Sequence, residues 1–299
     1  MILISGSSGF IGQSLLSNLN DSEGISLREN GWERKIQINN PEVIINLIGK
    51  AHDHNGIATE EEYNYANVEL TKEIFHEFTS SSAKLLIHIS SLAAIEEFES
   101  KIPLIENATC RPSSMYGKSK CLAEKWLLSQ KLPDGKKVII LRPPMVHGPG
   151  DKGNLMLLYR LISKGIPYPL SSFDNKRSFI CIDNFSFFID RIISNYASIE
   201  SGLYHVADDE ALSTKDIIAI IQNTTGKRTI NIAIPKILIK FLAKIGDIIP
   251  FPLNTKRLKK MTSDLLVSNK KIKVALGIEK LPLTATKGLE KTILSFINS

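Results

Sequence analysis

Met1-Ile2-Leu3-Ile4-Ser5, then Gly6-Ser7-Ser8-Gly9-Phe10-Ile11-Gly12, then Gln13-Ser14-Leu15-Leu16-Ser17-Asn18-Leu19 opens the chain. The apolar run with two β-branched isoleucines fits a buried strand of a parallel sheet. Three glycines at a spacing of three follow, and then a helical pattern with Ile11, Leu15, Leu16 and Leu19 on one side. Strand, glycine turn and helix together make a phosphate cradle for a dinucleotide. Glycines let the backbone turn tightly and approach a pyrophosphate, and a helix N-terminus offers N–H groups and partial positive charge. The commonest fingerprint of such a turn is G-x-G-x-x-G, whereas this one is G-x-x-G-x-x-G. Its start at residue 2 predicts that no signal peptide precedes it.

With 299 residues the chain is long enough for one large α/β domain or two lobes. Its 43% hydrophobic and 23% charged residues are those of an ordinary globular protein. The 37 basic and 31 acidic residues leave a formal charge of +6, read as spread along the chain, with no block of five like charges. That argues against nucleic acid as a partner and suits an anionic small molecule. Cys110, Cys121 and Cys181 have no metal-type spacing, so no metal is expected, and the odd count favours reduced thiols in the cytoplasm. The stretch Ile232–Phe251 places Lys236, Lys240 and Lys244 on one helix face, with Ile237, Leu238, Phe241, Leu242 and Ile245 around the other. Such a pattern can lie on a membrane surface. The preferred reading is a helix that covers the core and keeps a solvated lysine edge.

Further apolar strands are predicted at 24–28, 41–49, 84–91 and 138–142, with helices over 60–78 and after Pro112. Little chain separates the second strand from the third, so the helix between them is expected to be short or missing. Alternating strands and helices argue for a parallel, doubly wound sheet. The residue closing the second strand selects the adenosine ribose: an acid suits the 2′-hydroxyl, an arginine a 2′-phosphate. Arg28 is read at that position and leans towards NADP; the alternative is a surface arginine. Pro143–Gly150 reads as a rigid loop at a strand's C-terminal end, where open α/β sheets bind ligands. Beyond it, 154–165, 185–195 and 214–224 read as helices, and 177–182 and 203–207 as strands.

Ser91 stands at the end of a strand, and Tyr116 and Lys120 are four apart on one helix face. A free tyrosine, with a pKa of about 10, is a poor base at neutral pH. A nearby ammonium and an oxidised nicotinamide would favour its phenolate. Tyr116 would then take a proton from a hydroxyl as hydride leaves, or return one to a ketone as hydride arrives. Ser91 would hydrogen-bond the same oxygen.

These elements together resemble the extended short-chain dehydrogenase/reductase family, in particular its NAD-dependent nucleotide-sugar epimerases and reductases. The matching stretches are Gly6–Gly12, Asn67-Val-Glu-Leu-Thr71, Ser90-Ser91, Tyr116-Gly-Lys-Ser-Lys120, Arg142–Gly150 and Arg177–Asp183, with Leu276-Gly277 and Gly288-Leu289 fitting the C-terminal end. The resemblance implies an α/β, doubly wound parallel sheet of the Rossmann type with a smaller C-terminal substrate-binding lobe. The dinucleotide-binding part would take residues 1–152 joined by 177–207, and the substrate lobe 153–176 and 208–299. Gly6, Ser8, Gly9, Phe10, Ile11, Gly12, Arg28, Leu47, Gly49, Asn67, Tyr116, Lys120 and Pro143 would bind NAD or NADP. Ser91, Tyr116 and Lys120 would be catalytic, and Ser91, Asn154 and Arg177 would hold a nucleotide sugar, expected to be UDP-linked. A homodimer through the helices after Asn67 and around Tyr116 is also implied.

Departures from the family narrow the reaction. Leu92 and Ala93 follow Ser91 where 4,6-dehydratases carry Asp-Glu, and no cysteine stands there as in 3,5-epimerases. Met145 replaces the asparagine of the best-known galactose epimerases, and His147 replaces a tyrosine. For His147 both substrate contact and packing are open. Hydride chemistry at carbon 4 of a UDP-hexose or UDP-N-acetylhexosamine, in surface-polysaccharide synthesis, is the expected function. A 4-epimerase comes first and an NAD(P)H-dependent reductase of a UDP-4-keto-6-deoxy-N-acetylhexosamine second. A non-catalytic dinucleotide-binding regulator is the reading from another class.

Overall fold

The computed structural model describes residues 1–51, 57–249 and 253–297. The main sheet is built from β1 (Ile2–Ser5), β2 (Ser22–Ile25), β3 (Val43–Asn46), β4 (Leu85–Ile89), β6 (Lys137–Arg142) and β10 (Gly202–His205) in the order β10-β6-β4-β3-β1-β2. Every pairing in it is parallel. Side chains alternate between its faces. Ile2, Ile4, Val43, Ile45, Leu85, Ile87, Ile139 and Leu141 join one apolar cluster, whereas Leu3, Ile44, Leu86, Val138 and Ile140 join another. Helices α1 (Phe10–Asn18), α7 (Ile182–Ser194) and α11 (Lys270–Leu276) contribute to the first cluster, and α2 (Trp32–Asn39), α4 (Leu70–Ser80) and α5 (Met115–Ser129) to the second. Burial on both faces explains why these strands read as near-continuous apolar runs.

The helix between the second and third strands is short but present, as α2. The predicted helix over 60–78 is α3 (Glu60–Asn64) and α4 joined by a π-turn, Tyr65–Glu69, in which the Leu70 N–H bonds the Tyr65 carbonyl. The second strand ends at Ile25, so Arg28 lies in the following turn and is exposed, not at the strand's end.

A four-stranded sheet in the order β11-β8-β12-β5 joins Leu212–Ser213, Lys176–Arg177, Leu265–Val267 and Ser100–Leu104. β5 sits at its edge, where Pro103 is tolerated. The predicted strand 177–182 is broken at Ser178 into β8 and β9 (Phe179–Cys181). There the Ser178 N–H bonds the Leu265 carbonyl and its hydroxyl accepts the Val267 N–H, while β9 moves on to pair with β7 (Met145–His147). The Pro143–Gly150 segment therefore contains a short strand rather than only loop. Helices α6 (Asn154–Ser163), α8 (Thr214–Thr225) and α12 (Ala285–Ile297) pack in one further apolar cluster, to which α9 (Lys236–Ile245) and α10 (Thr255–Thr262) add Ile239, Ala243 and Leu258.

Candidate active site

Gly6 turns the chain at φ +73°, where a side chain would be strained and its Cβ would lie 3.0 Å from the Leu47 carbonyl carbon. A Cβ at Gly12 would fall 2.5 Å from the Ser7 Cα. The glycine loop thus sits directly on its own first turn and on the backbone after β3. No side chain caps α1 at Gly9, and Ser8 and Gly9 are exposed. Backbone that close, at an uncapped helix start on the C-terminal edge of a parallel sheet, fits a dinucleotide pyrophosphate. Ile11 is half-buried in α1, and the Phe10 ring lies against Gly148 and Gly150, joining the cradle to the segment after Pro143.

Gly49 is required for another reason. A Cβ there would lie 2.9 Å from Asn67 Oδ1 and 3.0 Å from Lys120 Nζ. Asn67, fully buried in the π-turn, accepts the Lys50 N–H at 2.8 Å and donates to Ser119 Oγ at 2.8 Å. Ser119 in turn bonds the Tyr116 carbonyl. The π-turn aims Asn67 between the end of β3 and α5, a common use of such a turn at functional sites.

Ser91, Tyr116 and Lys120 come together at the C-terminal edge of β4. The Ser91 hydroxyl accepts the Ala93 N–H at 3.2 Å and lies beside the Tyr116 phenol. Burial raises the Tyr116 pKa above its ordinary value of 10.0, and the neighbouring Ser91 hydroxyl opposes that rise. Lys120 Nζ donates to the carbonyls of Ile89 at 3.0 Å and Ile48 at 3.4 Å. Burial brings its pKa down to about 8, with Glu124 acting in the opposite sense. The expected depression of the phenol is therefore not supplied by Lys120 in this state; desolvation dominates. Pro143 is buried, and its carbonyl accepts the Leu92 N–H at 2.8 Å, fixing the turn that follows Ser91.

Beneath this edge lies a polar layer that sequence reasoning did not single out. Ser5, Asn46 and His88 are in register on β1, β3 and β4 and share one face. Ser5 Oγ donates to Asn46 Oδ1 at 3.0 Å, and Asn46 Nδ2 meets Thr71 Oγ1 at 3.3 Å and His88 Nδ1 at 3.2 Å. Burial, then Lys120, hold the His88 pKa well below the usual value, so the ring is neutral beside the lysine. One turn after Lys120, Glu124 takes a bidentate grip from Arg142, at 2.8 and 2.6 Å, and a short bond from Ser90. The i, i+4, i+8 spacing of Tyr116, Lys120 and Glu124 was the available signal.

Other predicted residues are placed apart from this group. Asn154 opens α6 and is exposed. Arg177 Nη1 donates to the carbonyls of Lys260, Ser263 and Phe98, so this arm of the guanidinium clasps α10 to the chain after Ser91. His147 is buried, 2.9 Å from Thr292 Oγ1, edge-on to Phe179 and pushed down to about 4 by burial, which is a packing role.

A family model, described as the NAD dependent epimerase/dehydratase family, matches residues 2–207. The chain belongs to this family. It is therefore an enzyme of the NAD-dependent epimerase and oxidoreductase type. It is 27% identical to a UDP-glucose 4-epimerase of Vibrio cholerae, over 100% of this chain and 96% of that protein. It is 24% identical to the N-acetyl-alpha-D-glucosaminyl-diphospho-ditrans,octacis-undecaprenol 4-epimerase of Escherichia coli O157:H7, over 77% of this chain and 71% of that protein. In fold it matches a UDP-glucuronic acid 4-epimerase of Bacillus cereus, solved with NAD, at TM-score 0.75 and 16% identity, covering 99% of this chain and 98% of the other.

Proposed function

We propose that the protein is a 4-epimerase of a UDP-linked hexose or N-acetylhexosamine, with Tyr116 as acid/base. The observation that carries this reading is the convergence of Ser91, Tyr116 and Lys120 on the sheet edge that also holds the glycine cradle. NAD or NADP, when bound, supplies the hydride acceptor and donor. Gly6 and Gly12 let the loop turn and pack closely, Gly9 opens the helix start to the dinucleotide's pyrophosphate, and Phe10, Leu47, Gly49 and Asn67 shape the wall beside them. Tyr116 removes the proton from the sugar's 4-hydroxyl and returns it, while Ser91 holds the same oxygen. With the oxidised nicotinamide bound, the Lys120 ammonium one turn away would favour the phenolate. Asn154 and the free N–H groups of Arg177 are assigned to the substrate's diphosphate.

Residues 1–152 with 177–207 form the cofactor part in this reading, and 153–176 with 208–299 the substrate lobe. β10's place in the main sheet and the shared cluster of α6, α8 and α12 support that division. Met115, Leu122 and Leu128 are exposed apolar side chains on α5, one of the helices through which the proposed dimer would pair. The test is cofactor stoichiometry. Incubation with UDP-glucose or UDP-N-acetylglucosamine and only catalytic NAD is expected to yield both carbon-4 epimers. Net consumption of NADPH with a 4-keto sugar, and no epimerisation, would make the protein the reductase instead.

A further inference from the structure

Helix α9 does not cover the core with its wide apolar side. Only Ile239 and Ala243 are buried. Ile237 is 84% exposed and Phe241 59%, and Leu238, Leu242 and Ile245 are also exposed. At 100° per residue these five span a continuous arc, with Lys236, Lys240 and Lys244 along its flank. All three lysines are exposed, and α9 has no acidic residue. Ile248 and Ile249 extend the apolar side chains into the turn that follows. From Gly226 to Ser263 the chain carries nine basic residues and one acid, Asp247; all the rest carries 28 basic and 30 acidic. The positive charge is thus concentrated here rather than spread, and Asp247 is engaged by Thr255.

We infer that this face of α9 docks the protein on an anionic bilayer surface. Large apolar side chains flanked by lysines match the boundary between headgroups and acyl chains, and anionic lipid answers the local charge. A second copy would bring the same lysines against one another. Among the described residues no helix is long and apolar enough to cross a membrane, so the contact is peripheral. The face also connects to the candidate site. α10 packs on α9, its Lys260 lies 3.9 Å from Glu97, and Glu97 accepts bonds from the N–H and hydroxyl of Ser114, the N-cap of the helix that carries Tyr116. Docking would hold α10 and, through Glu97, the start of the Tyr116 helix near the membrane. This inference goes beyond the sugar chemistry and does not depend on it.

The test is flotation of the full chain with vesicles of phosphatidylethanolamine and phosphatidylglycerol, alongside vesicles of phosphatidylcholine alone. The wild type is expected to float with the anionic vesicles and to be released by salt. Phe241→Glu is expected to lower the bound-to-free ratio about tenfold or more. Lys236→Glu/Lys240→Glu/Lys244→Glu is expected to erase the preference for phosphatidylglycerol. Because these side chains are exposed, both variants should melt like the wild type. The inference is overturned if the wild type stays out of the anionic vesicles or if Phe241→Glu floats equally well. It is also overturned if Phe241→Glu only dissociates a larger oligomer and neither form floats.

Discussion

The layer beneath the ends of β3, β4 and β6 and the outer face of α9 depart from the usual division of side chains in opposite directions. In the first, Asn46, Asn67, His88, Glu124 and Arg142 are buried polar groups. In the second, Ile237, Phe241 and Ile248 are exposed apolar ones. Buried polar groups are costly unless they are hydrogen-bonded, and here nearly every one is held by another side chain or by backbone. Their bonds lead to the loop after β3, to Ser90 and to the helix of Tyr116 and Lys120, so the layer serves placement. The exposed isoleucines have no comparable reward within the chain. One region is held almost entirely from within, with His88 Nε2 its unpartnered atom among the described residues; the other is completed by something outside it.

Breaking the buried layer should therefore be far more damaging than altering the exposed face. Glu124→Ala strands Arg142 without its partner and should destabilise the protein by about 3–5 kcal/mol in urea unfolding. Phe241→Glu should change stability by less than about 0.5 kcal/mol in the same measurement. Equal effects would erase the distinction between the two regions.

Asp208, which follows β10, sharpens the comparison in a smaller way. It is a buried carboxyl held by the Cys181 N–H and the Asn184 amide, and burial still pushes its pKa from 3.8 up to about 7. The folded state keeps this proton to higher pH than the unfolded chain. Its stabilising contribution is thus full below about 4 and is lost as pH rises through about 7. Asp208→Asn should remove that component, flattening the pH dependence of the unfolding free energy, measured by urea titration, by a slope of at most about 1.4 kcal/mol per pH unit. A variant whose profile still falls as steeply would show that Asp208 is already ionised in the fold.

What was legible in the sequence was local. The glycine spacing and the alternation of strands and helices announce β1–α1 and the parallel sheet, because a turn and a periodicity lie within a few residues of each other. Tyr116 and Lys120 are legible for the same reason. The row Ser5–Asn46–His88 is not, because it exists only once three strands pair in register. Nor is the π-turn around Asn67, whose one extra residue leaves no mark in composition. Arg28 was misplaced because β2 stops three residues earlier than its apolar pattern suggested. In α9 the period marks two faces correctly but cannot say which is covered, and burial chose the narrow one, Ile239 and Ala243.

The most direct trial of acid/base chemistry at Tyr116 is turnover of the UDP-sugar by Tyr116→Phe, with cofactor binding measured on the same preparation. Loss of the phenol should lower kcat by about 10²- to 10⁴-fold while the dinucleotide still binds through the glycine cradle. Turnover equal to the wild type, with the cofactor bound, would contradict the assignment of Tyr116 and with it the proposed site.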